Sequence, residues 1–496
     1  MKSFKQYAIA TFLAASAGVV QAQEFSSAYF LDGVTSRHEQ NPAFGNDQNY
    51  FSFPALGSLN LKLQGNFGVQ DILFKNPQSG YYNRTFMHPD VSVSDALSGF
   101  NKGANKITED VAITFLSMGF QGLGGYNTIE LKTKSVGGVS VPYELFEFAK
   151  DLKNKNYEFD DIRAKVSLYT ELAFGHSHQV SEKLRVGAKV KLLFGHANAD
   201  LTIEDMTANL VGNQWVLSSK KAEANVNMKG ITFKNKVSDY KTTGTYEHVD
   251  LGETDVDNVG VSGFGLGLDI GAQYEIIQGL KVSAAVKDIG FISWSNNHLL
   301  KQRSSTFNFN GFHDVAIKSD DTKPGETLDD KMDGYADQLS DFMSLSNEGD
   351  TGGKTTSLAA TVCLGGEYTL PMYEPLTAGL LFQQRINGPF SWTEGRISAN
   401  WKPLSWLNGG LNFGVNTFGT SAGWIVNFHP NGFNFFVGMD HIFGKMTKEM
   451  VPLSSNASFS MGIAFTWGGS KKEKRARTVE APVAPPINYD NDYQVW

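Results

Sequence analysis

The stretch GFGLGLDIGAQYEII (263–277) reads as one long strand with two unlike faces. Phe264, Leu266, Leu268, Ile270, Ala272, Tyr274 and Ile276 fall on one side, and Gly265, Gly267, Asp269, Gly271, Gln273 and Glu275 on the other. Period-two alternation means a strand lying between two environments. The run is more than twice the ~5–6 residues of a mean globular strand. It matches a tilted membrane strand of ~9–11 residues with an extension beyond the bilayer. Upstream, Leu184, Val186, Ala188, Val190 and Leu192 alternate with Lys183, Arg185, Gly187, Lys189 and Lys191. Such a cationic face suits a watery lumen and not a sandwich core.

Working outward, similar alternation recurs at 58–70, 110–121, 127–141, 162–175, 279–294, 355–370, 375–387, 393–402, 408–418, 421–429, 433–443 and 456–468. Together these predict an all-β fold, a transmembrane antiparallel β-barrel of about 14 strands spanning 58–468, within the ~8–26 strands of bacterial outer-membrane barrels. Connections at 122–126, 176–182, 277–279, 371–374, 403–407 and 429–432 are short. Those at 71–109, 142–161, 195–258, 295–354 and 444–455 are long, while 388–392 and 419–420 give the outer side a low rim. Short periplasmic turns and long external loops are the expected pattern. No apolar run suits a membrane helix, because the longest uncharged stretch, 403–439, is diluted with polar residues.

Composition narrows the functions. The chain has 496 residues, a formal charge of −8, 12% aromatic residues and one cysteine, Cys363. The negative balance excludes nucleic acid as an expected partner, and one cysteine excludes a disulfide framework or a cysteine-ligated metal cluster. Lys2 and Lys5, the apolar run Tyr7–Val20 and Val20-Gln21-Ala22 predict a signal peptide over 1–22, with Gln23 the first mature residue and no lipoprotein cysteine after it. Residues 23–57 are too irregular for a strand pair and predict a lumen plug, long external loops joining the strands beyond it. At the other end, KKEKRAR (471–477) followed by Pro482, Pro485 and Pro486 predicts a disordered periplasmic tail over 469–496, with 470–496 free to engage a periplasmic partner or to act as a solubilising extension.

Several motifs are weighed against plainer roles. GTSAG (419–423) has the spacing of a nucleophile elbow, yet it joins two strands with no helix after it, so Ser421 is read as a turn residue. His176 and His178 share a strand face, but His196 lies toward the opposite side of the membrane, which leaves no third metal ligand. Gly263, Gly265, Gly267 and Gly271 face the lumen, where missing side chains make room for another backbone or permit a bend. Leu145, Phe148 and Leu152 stand at helical spacing after Pro142, either as contacts for an amphiphile or as the packing face of a loop helix. Cys363 reads as a small lumen filler, and 313–350, rich in Asp and Glu, as a solvated loop. No catalytic constellation, metal site or cofactor motif emerges, so the reading is not of an enzyme.

The strand count, the segment SAYFLDGVTSRHEQNPAF (27–44) with Asn41-Pro42-Ala43, and VKDIGFISW (286–294) resemble the FadL-like superfamily of outer-membrane barrels, nearest to an uncharacterised Gram-negative family within it. That resemblance implies passive uptake of hydrophobic or amphipathic small molecules through a monomer in outer-membrane lipid, with Asn41, Pro42 and Ala43 in a luminal hatch. Its ligand contacts find no matching motif in the outer loops. Related barrels also serve secretion as shuttles or anchors, so a non-transporting binding or assembly protein is the alternative. A soluble β-sandwich adhesin is the structural one.

Overall fold

The computed structural model describes residues 25–52, 58–212, 214–313, 327–442, 454 and 456–468. The leader at 1–22 and the tail at 469–496 therefore lie outside the described residues. Fourteen wall strands can be followed in order. They are β1 (Asn49–Ser52 and Ser58–Gly65), β2 (Ala104–Gly122), β3 (Gly125–Pro142), β4 (Ile162–Gln179), β5 (Leu184–Glu204), β6 (Gly263–Ile277) and β7 (Leu280–Trp294). The circuit continues through β8 (Lys354–Ser357 and Ala360–Thr369), β9 (Leu376–Ile386), β10 (Trp392–Leu404), β11 (Leu407–Asn416), β12 (Gly419–Phe428), β13 (Phe433–Met439) and β14 (Ala457–Trp467). Each pairs antiparallel with the next, and β14 pairs with both pieces of β1, so the sheet closes without an edge. Asn49–Ser52, expected inside the lumen, belongs to the wall.

Alternation decides which side chain meets which medium. Along β6, Phe264, Leu266, Leu268, Ile270, Tyr274 and Ile276 are exposed outward, as the sequence predicts. Exposed Tyr274, Tyr368, Tyr373, Trp401, Trp406, Phe428, Phe465 and Trp467 cluster near the short turns of β6, β8–β12 and β14. This is the aromatic girdle of a membrane barrel. The protein is a multi-pass β-barrel of the bacterial outer membrane.

The rim is uneven. β2–β5 are the longest wall strands at 18–21 residues, and Lys221–Met228 pairs with the outer third of β5. That strand pairs in turn with His298–Gln302, and His298–Gln302 with Leu345–Asp350, so the wall rises into a second storey. The long connection after β5 is thus largely sheet. Extended strand satisfies its peptide groups where a bare loop of that length could not. A buried row from Asn198 through Asn227 to Asn297 hydrogen-bonds across this storey at 2.8 and 3.0 Å. Within the acidic segment at 313–350, helix α2 (Leu328–Met343) starts at a Thr327–Asp330 capping box.

Candidate functional site

Residues 25–44 lie against the inner face of the wall, nearly all of them buried, and their seating follows from gaps left in it. A Cβ built on Gly187 would lie 2.1 Å from Pro42 O, and one on Gly271 2.0 Å from Asn41 Oδ1. Around the circumference, Gly365 makes room for Tyr29, Gly379 for Phe30 and Gly438 for Phe25. Of the glycines singled out from sequence, only Gly271 receives the segment. Gly263 and Gly265 press on the backbone of β7, and Gly267 on Lys191. The register between β6 and β7 shifts between Leu268 and Ile270.

Asn41 is fully buried, and its side-chain amide donates to Ala272 O at 3.3 Å and Ala284 O at 3.2 Å. Its Oδ1 accepts from Ala43 N–H at 2.9 Å, which holds the NPA turn. On the far wall, Asp440 accepts from Ser26 N–H (2.9 Å), Ser27 N–H (2.7 Å) and Ser27 Oγ (2.6 Å). Asn434 donates to Gly33 O at 2.9 Å.

Above the turn, Lys189 and Lys191, two of the cations that suggested water, are buried and paired. Lys132 meets Glu39 at 2.7 Å, and Lys189 meets Glu130 at 2.5 Å. Lys189 also lies 3.3 Å from His38 Nδ1, and an ammonium can only donate. His38 is therefore neutral, with Nε2–H donating to Tyr50 Oη at 2.6 Å. In the next layer Lys191 binds Asp269 (2.8 Å) and Asp288 (2.6 Å), and Lys134 reaches Asp288 and Glu171, both at 3.3 Å. Buried charges persist only when so compensated. Asp288 adopts φ +56, costly for a residue with a Cβ, and this turn delivers its carboxylate to both lysines. Lys287 donates to Glu39 O at 3.2 Å. The two stretches that carried the family resemblance thus meet in space.

Outward of the ion pairs, the side of the lumen formed by β3–β8 turns apolar. Val136, Tyr169, Leu193, Ile292, Trp294 and Ala359 pack into a septum, with Leu358 against it. A vestibule of about 560 Å³ opens beyond, lined by Arg163, Lys165 and Asp200 on one side and Leu358, Ile386 and Phe390 on the other. Sequence reasoning missed both. The septum's residues come from four strands and the break in β8, and only the curved wall brings them together.

The remaining candidates lie apart. Helix α1 (Tyr143–Lys150) stops before Leu152, which is exposed, contrary to the helix expected to include it. Leu145 and Phe148 pack on Tyr157, Phe159, Ala208 and Leu210 of the loops. A hydrogen bond from Lys155 holds the Glu147 carboxyl of this helix below its ordinary pKa. His176 and His178 stand on the outward face of β4 and not in a turn, with Asn127 Oδ1 2.9 Å from His176 Nδ1. Ser421 Oγ accepts from Arg396 at 3.1 Å inside the lumen, away from any histidine pairing among the described residues. Cys363 is buried beside Tyr29, Phe30 and Leu381.

The family model that matches the chain runs from 42 to 440, through the NPA turn and every wall strand up to Asp440. The chain belongs to this family of unknown function, DUF5723. Among curated proteins nothing matches. Solved structures similar to this DUF5723 member include the Ralstonia pickettii toluene transporter TbuX, at 11% identity over 92% of this chain and 97% of that one, TM-score 0.37. The Pseudomonas putida toluene transporter TodX is 10% identical over 92% and 97%, TM-score 0.39. A Pseudomonas aeruginosa FadL homologue is 9% identical over 91% and 95%, TM-score 0.35. The last of these bears the family name that the sequence resemblance suggested. At such distance they add nothing to the strand pairing, on which the fold stands.

Proposed function

We propose that this barrel admits hydrophobic or amphipathic small molecules passively, from the outer vestibule through the septum, with the segment around Asn41, Pro42 and Ala43 acting as the hatch. The observation that carries the reading is the septum itself. An apolar layer above buried ion pairs excludes ions and water, which would lose hydration there, while an apolar solute gains by entering. No energy source is needed beyond the gradient.

The test is retention. Detergent-purified protein is incubated with toluene, an alkane and a long-chain fatty acid, and bound compound is measured by mass spectrometry beside an unrelated porin. Wild type should retain at least one of them, and Trp294→Lys should not. Equal, porin-like background in both would refute the reading.

The two ion-pair layers favour a second reading, in which the lumen is a permanent seal and the barrel a binding or assembly protein. Deleting 469–496 separates the two. Loss of a co-purifying periplasmic partner with retention intact supports assembly, and lost uptake with no partner supports transport.

A further inference from the structure

One stretch of the wall is made by β6, β7, β8 and β9 side by side. Its inner face there gives way at Gly271, Gly365 and Gly379 to the luminal segment. Its outer face carries Ala272, Ala284 and Gly366, and a Cβ built on Gly366 would meet no atom within 4 Å. Cross-strand pairing makes these neighbours: Ala272 faces Ala284, while Gly366 lies between Val282 and Leu380. Flanked by Tyr274, Leu380 and Phe382, the small residues leave a dent of about 480 Å³ in the outward surface.

We propose that this dent binds one acyl chain of a periplasmic-leaflet phospholipid. Its depth is the first argument. Tyr274 and Tyr368 belong to the girdle, and Ala272 and Gly366 stand two residues from them on the membrane side. A headgroup level with those tyrosines places its chain across the dent. Chemistry is the second argument. The serine hydroxyl at the border, Ser283 Oγ, is turned inward to Tyr29 Oη at 3.0 Å, so apart from the Tyr274 phenol at the girdle end the surface offered to lipid is apolar. Size is the third, because the volume falls within the ~300–1,000 Å³ of small-molecule pockets. A hollow that no chain fills forfeits dispersion contacts along its whole lining.

The floor gives the site a further property. Ala272 and Ala284 present their carbonyls to the amide of Asn41. The chain outside and the NPA turn inside therefore rest on the same two residues.

Native mass spectrometry of the full-length protein in detergent, titrated with dioleoylphosphatidylethanolamine, tests the site. Wild type should keep one phospholipid per barrel under activation that strips loosely held lipid. Gly366→Leu, which fills open space, should cut that occupancy by about five-fold or more, with heat-modifiable gel mobility unchanged. Ala284→Leu serves as the second filling variant should the first not fold. Equal occupancy in wild type and the folded variants, or none in wild type, overturns the proposal. A dimer that the filling variants dissociate overturns it too, assigning the dent to a second copy. None of these failures touches the uptake reading, which is tested at Trp294.

Discussion

Gly187→Ala is the smallest change that should unseat the luminal segment. Its new methyl would sit 2.1 Å from Pro42 O and 2.6 Å from Ala43 N, both backbone atoms with no rotamer to yield. Overpacking of this kind costs about 1–3 kcal/mol. Withdrawal of the turn would in addition forfeit the two bonds from Asn41, each worth about 0.5–1.5 kcal/mol. A loss of 1–3 kcal/mol raises the unseated population by about 5–150-fold. Arg37 reports it, because the side chain is buried in the seated state and trypsin can cut there only when the segment leaves. Where reseating outpaces cleavage, the cutting rate follows that population. The expected result is faster cleavage after Arg37 by that factor, with the wall intact by heat-modifiable mobility. Gly366→Ala, on the outward face with nothing near its Cβ, should match wild type. Cleavage in Gly187→Ala no faster than in wild type would refute the seating.

Lys132→Met leaves Glu39 and Glu130 short of a cation, and should cost about 3–5 kcal/mol in a denaturant titration. Adding Glu39→Gln should recover part of that, as a non-additive double-mutant cycle. Asp288→Gly removes the strained φ along with the carboxylate, whereas Asp288→Asn removes only the charge. Asn should therefore be the less stable of the two, and the reverse order would count against the strain. Phe148→Ala should loosen its loop by about 1–3 kcal/mol, seen as faster hydrogen exchange at 156–159 with ligand retention unchanged, since its ring packs on Tyr157 and Phe159.

Much of the wall was legible because each strand carries its own signal. Phe264 to Ile276 alternates whatever its neighbours are, and so do Leu184 to Leu192. The site was less legible, because its chemistry depends on partners far away in sequence. Lys189 and Lys191 are readable as inward, but nothing local says that Glu130 and Asp288 neutralise them. Gly271 was noticed within a conspicuous glycine run, whereas Gly187, Gly365, Gly379 and Gly438 serve the segment equally and are scattered over four strands. Trp294 closes a stretch that drew notice as a motif, yet its place in a septum needed β3, β4 and β5. Asn49–Ser52 was missed as wall for the same reason. Four residues carry too little periodicity to register, and only β2 and β14 on either side make them a strand.

That last pairing bears on how the protein is made. Tyr50 lies between Gly119 of β2 and Thr466 of β14, and Ser26 and Ser27 reach Asp440 across 414 and 413 positions of chain. Contacts between the two ends of a chain are the last that synthesis permits and the slowest to find. The seam between β14 and β1 cannot zip until the last strand has been made. The closing seam and the bonds that seat the luminal segment both join the two ends of the chain, so closure of the wall and filling of its lumen belong to the same late stage of folding.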